Sequence, residues 1–384
     1  MKIKILKIDI LILVLIIPFI IPSGNIKILE NVLKIWKMGT GLWAIIYIFR
    51  KRKTNTVLLT LTAFYLIIVI SGIIHKNSIV SVLNDIALLW IINYLTESKE
   101  IRNRTLIIFE IIMTFVVIAN FITMVIYPNG MYKSSMYELN WLLGYKNIII
   151  RKILPYIVVI LLNIQNRKMK LYEKIGIICS IGSIALSQSV NGYIGLGVFG
   201  LSYIIMCKKE KISNIITLTK VFSIYSFVDF LILFTNTLAN FNGFINEKLN
   251  KYASMSGRLA IWELTIKAIA KTPIIGYGAV NSTVYDLSFN ITHPHNLLLY
   301  YLMLGGITCV IAFFIALGII DKNKNKEKCK TNIVFIASYI SYFSMALTES
   351  LMGATFFIPF LLVMYNINKE ETKRDDRHLY TIQN

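Results

Sequence analysis

Charge is scarce in this chain. Asp, Glu, Lys and Arg make up only 16% of its 384 residues, against about 25% in soluble domains. An ordinary soluble enzyme is excluded by that shortage, because apolar types rise to 56% and mean hydropathy reaches +0.65. Cysteine is also rare: Cys179, Cys207, Cys309 and Cys329 have neither the spacing of a zinc site nor that of a disulfide framework. The long outer loop shows no obvious paired carboxylates, and an Asp-x-Asp metal motif, internal repeats and low-complexity runs are missing from the chain. No small-residue cleavage site follows the N-terminal apolar run, so that run is expected to be a retained first helix.

What is present is apolar sequence in long runs. Runs that could span a bilayer fall at about 5–22, 31–49, 55–74, 79–96, 105–127, 148–164, 175–190, 192–207, 214–238, 297–320, 332–349 and 351–367. Twelve helices of roughly 20 residues would take up about 240 residues, which accounts for the composition with a single membrane domain over 1–384. The expected fold is therefore all-α and polytopic, with about twelve transmembrane helices.

Where the basic residues fall gives an orientation. The formal charge is +20, from 40 Lys and Arg against 20 Asp and Glu. With the N-terminus inside, the N-terminus and alternate connections carry 26 of the 40, and the opposite side carries nine, five of them in one long loop. Positive residues are retained on the cytoplasmic side of membranes, so both termini are expected in the cytoplasm of a plasma-membrane protein. Most of the excess charge then serves topology, and nucleic acid is set aside as a partner.

One outer loop is too long to be a connector. Residues 239–296 hold no membrane-length apolar stretch. Ser256 could cap a helix from about Gly257, with Leu259, Trp262, Ile266 and Ile269 on one face and Pro273 ending it. That stripe suits a helix in the membrane interface. Gly276-Tyr277-Gly278 permits a tight turn or a close approach to a ligand. His293-Pro294-His295-Asn296 then leads into the next span, with Pro294 biasing His293 toward an extended backbone. An imidazole, with an unperturbed pKa of about 6.5, can serve there as a general base. Each feature also has a plain structural reading: a loop histidine, a common turn, or an arginine on lipid phosphate. A metal site is not expected, because the outer loops offer only His75 as a third imidazole and no cysteine.

Taken in order, Ser256-Gly257-Arg258, Ile261-Trp262, Pro273, Gly276-Tyr277-Gly278, His295-Asn296, Leu298 and Gly305-Gly306 resemble the signature of the O-antigen polymerase and ligase family, which includes the Wzy-type polysaccharide polymerases. The likeness is close over about 50 residues. Trp141 to Asn147, which includes Lys146, is similar to the glycine and asparagine segment that many members carry before the sixth span. Ser187 to Gly192 sits where members often carry a Ser-Arg-x-Gly type turn, but the arginine is absent here. Charged residues also fall inside spans, at Asp85, Glu110, Arg151 and Asp229. Such residues normally face the bundle interior or one another. The resemblance favours Arg151 as functional, since members place an arginine near this outer loop as well as one in the long loop.

The resemblance implies a glycosyltransferase that moves a glycan from polyprenyl (undecaprenyl) diphosphate to a sugar hydroxyl on another lipid-linked unit, outside the membrane. Arg258 and Arg151 would meet the charge of the departing diphosphate, and His295 would take the hydroxyl proton. Gly276, Tyr277, Gly278, Asn296, Lys146, Asn147 and Trp262 are the expected substrate-binding residues. Tyr277, Tyr285, Trp262 and Tyr300 could stack on sugars, or anchor the chain at the interface. No metal or other cofactor is expected; the expected partners are the lipid-linked oligosaccharide, membrane lipid, and flippase and chain-length regulator proteins. A ligase passing glycan to another envelope acceptor, a lipid-linked oligosaccharide flippase or transporter, and a purely structural subunit remain as alternatives.

Overall fold

The computed structural model describes residues 7–22, 26–51, 54–133, 139–165, 167–234, 252–279, 293–324, 329–351 and 356–382. Among these, fourteen helices carry the fold. The first five are α1 (Lys7–Ile20), α2 (Lys27–Lys51), α3 (Thr56–Ile74), α4 (Val80–Thr96) and α5 (Lys99–Ile126). A two-residue hairpin of β1 (Asn140–Trp141) and β2 (Gly144–Tyr145) leads into α6 (Lys146–Asn163). Then come α7 (Leu171–Ser187), α8 (Val190–Lys208), a short α9 (Glu210–Ile215) and α10 (Leu218–Phe234). The last four are α11 (Tyr252–Lys271), α12 (Leu297–Lys322), α13 (Cys329–Ala346) and α14 (Phe357–Ile382).

A helix lies on each of the twelve apolar runs, and among the described residues five helices are long and apolar enough to cross a membrane: α2, α3, α5, α8 and α12. The chain is an all-α, multi-pass membrane protein. Helix ends differ from the apolar runs where polar chemistry sets them. Ser98 caps α5 by accepting from Ile101 N–H, so the helix begins well before its apolar part. The run over 214–238 is broken, and Asp321 accepts from the N–H groups of Leu218 and Thr219 at 2.8 Å to start α10. Tyr252 opens α11, which places Ser256 inside the helix and removes it as the expected cap.

In a bilayer, helices associate through close packing and polar ties, because lipid is as apolar as their side chains. Small residues supply the close approaches. A Cβ on Gly195 of α8 would meet Met345 and Ile150, so α8 lies tight against both α13 and α6. Gly41 of α2 is pressed on Ala87 of α4 in the same way.

Polar ties fix the hairpin that precedes α6. Asn120, fully buried on α5, donates to Ser183 Oγ on α7 at 3.2 Å and accepts from Leu143 N–H at 2.9 Å. Trp141 Nε1 donates to Tyr127 O at 2.8 Å. The start of α6 is thereby held in place, and with it Asn147 and Arg151. Glu110 accepts from Asn163 Nδ2 at 2.6 Å and from the Tyr172 hydroxyl at 2.8 Å, tying α5 to α6 and α7.

Candidate active site

Two arginines and a histidine from three separate parts of the chain meet around one carboxylate. Arg151, a turn and a half into α6, places Nη2 2.8 Å from Glu349 Oε2. Arg258 on α11 places Nη2 3.4 Å from Glu349 Oε1. His295 Nδ1 lies 3.6 Å from Glu349 Oε2, longer than a hydrogen bond. Asn147 Nδ2 donates to Glu349 Oε1 at 2.9 Å, and Ser189 Oγ donates to Asn147 Oδ1 at 2.8 Å. The serine fixes which end of the Asn147 amide faces the carboxylate.

Glu349 is 3% exposed, whereas Arg258 and His295 keep 22% and 28%, so the cluster opens on the arginine and imidazole side. Burial alone would raise the Glu349 carboxyl. The adjoining His295 imidazole, Arg151 and Arg258 outweigh that and hold it at about 2. Burial lowers His293 to about 4, with the neighbouring His295 acting in the same direction. His293 is therefore neutral and able to accept from His295 N–H at 3.3 Å. The two rings lie 4.1 Å apart.

His295 has a left-handed backbone, with φ +51°. Such a conformation costs on the order of 1–3 kcal/mol for a residue with a Cβ and persists only where its surroundings impose it. Here both neighbours are pinned. Trp262 Nε1 donates to Pro294 O at 2.7 Å. Asn296 caps α12 by accepting from Leu299 N–H at 2.9 Å and donates to Asp229 Oδ1 at 2.6 Å.

The other expected binding residues hold parts of the protein together. The apolar stripe of α11, with Trp262, Ile266 and Ile269, packs on Leu299 of α12 and on Ile232 and Leu233 of α10. Protein, rather than the membrane interface, covers that face. The Gly276-Tyr277-Gly278 segment lies on a kink in α12 at Gly306, whose φ is +63°. Tyr277 N–H donates to Met303 O at 2.6 Å and Gly278 N–H to Leu304 O at 2.8 Å, while Ile307 N–H donates to Pro273 O at 2.9 Å. The Tyr277 hydroxyl donates to Ala268 O at 2.9 Å. Lys146 is the first residue of α6, one before Asn147. Tyr285 lies outside the described residues.

Glu349 is the residue that sequence reasoning missed. The apolar run over 332–349 takes Glu349 in as its last residue, but α13 ends at Ala346 and leaves Glu349 in the connection toward α14. A lone acid between two apolar runs was the available signal. Three residues in or beside this network have buried atoms without a hydrogen-bond partner among the described residues: Arg151 at Nε, His295 at Nδ1, and Asn191, two residues beyond Ser189, at both amide atoms. Buried polar atoms are ordinarily satisfied, so this part of the site is suited to a polar ligand.

The apolar helices make this a multi-pass membrane protein, and two arginines and a histidine gather around one buried acid. Residues 175–314, which include Arg258 and His295, match the family model described as O-antigen ligase. No curated protein matches the chain. The family-model match supports a role of the O-antigen ligase or polymerase type in polysaccharide biosynthesis.

Proposed function

We propose that the chain is a polysaccharide polymerase that joins lipid-linked repeat units on the outer face of the plasma membrane. The observation that supports it is the convergence of Arg151, Arg258 and His295 on one partly open cluster. The sugar hydroxyl of one lipid-linked unit attacks the anomeric carbon of another. The bond from that carbon to the diphosphate oxygen breaks, and its electron pair leaves with the polyprenyl diphosphate. The hydroxyl proton passes to His295. Two arginine forks suit the charge that develops on the diphosphate, since they stay protonated and can bind its oxygens in pairs. With the leaving group met by fixed cations, the reaction needs no metal. The same reading puts twelve spans in the membrane, both termini in the cytoplasm and residues 239–296 outside.

A ligase reading is favoured by the description of the matching family model. The same groups would pass a finished glycan to another envelope acceptor. Gel analysis of glycan chain length in His295→Ala and Arg258→Ala tests both readings. A polymerase variant leaves single repeat units on the lipid carrier, and a ligase variant accumulates long lipid-linked chains. Normal chain length and normal transfer in either variant, inserted at wild-type levels, would remove that residue from the mechanism.

A further inference from the structure

The site holds an acid where its cationic chemistry calls for an anion from the substrate. Glu349 accepts from Arg151 at 2.8 Å and from Asn147 at 2.9 Å, and Arg258 stands at 3.4 Å. A diphosphate and Glu349 would thus compete for the same guanidinium groups. Meanwhile His295 Nδ1, buried and without a hydrogen-bond partner, faces Glu349 Oε2 across 3.6 Å. Closing that gap by less than an ångström would make a hydrogen bond.

We propose that Glu349 is a positioning residue that exchanges partners: the arginines turn from it to the donor's diphosphate, and the freed carboxylate accepts Nδ1–H of His295. The proposal rests on the transferase reading and deepens it. In the resting site the carboxylate is divided among two arginines, the Asn147 amide and a distant imidazole. Once the arginines are engaged by diphosphate, the His295 bond is the strongest open to Glu349. That bond fixes the tautomer in which Nε2 is the basic atom, pointed toward the attacking hydroxyl, and the carboxylate stabilises the imidazolium formed when the proton arrives. The charged and titratable groups facing His295 are Glu349, Arg151, Arg258 and the neutral His293. Of these Glu349 alone is negative. The base is therefore armed only with donor in place.

The consequence is unusual for a charged residue in a binding site. Glu349→Gln in the full-length, detergent-solubilised protein should bind inorganic pyrophosphate roughly tenfold more tightly, since one charge-assisted competitor is gone. It should transfer glycan at least about tenfold more slowly, and the acid limb of its pH–rate profile should move to lower pH. Pyrophosphate affinity equal to or weaker than wild type, or a superposable pH profile, overturns the exchange. Glu349→Asp keeps the charge but withdraws it from the imidazole, so wild-type affinity with slowed transfer is expected; a wild-type rate in this variant overturns the proposal too. Pyrophosphate binding needs no turnover. Absence of glycan lengthening by the wild type would sink the transferase reading, whereas the binding measurement judges the exchange.

Discussion

Two titratable residues of the site respond to acid in the same direction, and together they give the protein a characteristic pH dependence. His293 is lowered from 6.5 to about 4 by burial and by its neighbour His295. Between those values the unfolded chain takes up a proton that the folded site refuses, so stability falls as pH drops through that window. Glu349 is held at about 2 against an ordinary 4.5. Its contribution, worth about 3 kcal/mol at most, is fully present above 4.5 and is lost as pH falls toward 2. The melting temperature in detergent should therefore decline in two stages on acidification, the first below about 6.5. His293→Asn preserves an acceptor for His295 N–H and should abolish the first stage alone. A melting temperature that rises between pH 6.5 and 4 would contradict the burial of a neutral His293. None of this was legible in the sequence. Arg258 and His295 could be nominated because they stand in an ordered motif, and Arg151 as a charge inside an apolar run, but Glu349 lies more than 50 residues beyond His295, at the very end of what reads as an apolar run. Only folding brings its acid to the cations.

The kink in α12 explains why two short motifs, far weaker separately, occur together. A helix that breaks in a bilayer must have its freed backbone groups satisfied by other protein, since lipid offers none. The Pro273–Gly278 segment does so, taking the carbonyls of Met303 and Leu304 and the N–H of Ile307. Glycine is required on both sides of this contact. A Cβ on Gly276, at φ +60°, would stand 2.5 Å from Met303 O and 2.7 Å from the amide nitrogens of Gly305 and Gly306, and one on Gly306 would run into Ile274. The sequence showed that these glycines permit tight geometry, and it left open whether a ligand or the chain itself would use it; the chain does. Gly306→Ala combines a glycine-only backbone conformation with that clash, and it should cost at least about 2–3 kcal/mol. Gly318→Ala in the same helix is the control, because its added methyl meets only Thr219 at 3.9 Å. Replacing a glycine inside a regular helix should add roughly 0.5–1 kcal/mol. Thermal unfolding of the two variants in one detergent checks both signs. Equal melting temperatures would mean that the segment does not depend on the kink.

For the molecule as a whole, the architecture was legible because it rests on composition and charge, which act locally along the chain. Each apolar run became a helix, and the run ends were misjudged only where caps or polar turns override hydropathy, as at Ser98 and Asp321. The faces of those helices were not legible, since contacts such as that of Gly195 with Ile150 and Met345 depend on which helices become neighbours. Orientation is the property that joins the two levels. If 26 of the 40 basic residues mark the cytoplasmic side, then Glu349, His295, Arg258 and Arg151 must all lie at the opposite end of the bundle, where a lipid-linked glycan is exposed after its transport. Two exposed lysines report on this without touching the site: Lys211 at the start of α9, and Lys267, 67% exposed on α11 and paired only with Glu263. In a chain with its four cysteines replaced, Lys267→Cys should react with a membrane-impermeant maleimide in intact cells. Lys211→Cys should react only after the cells are opened. The reverse pattern would place the site in the cytoplasm, where a polymerase acting on translocated repeat units has no substrate, and the transferase reading on the outer face would fall with it.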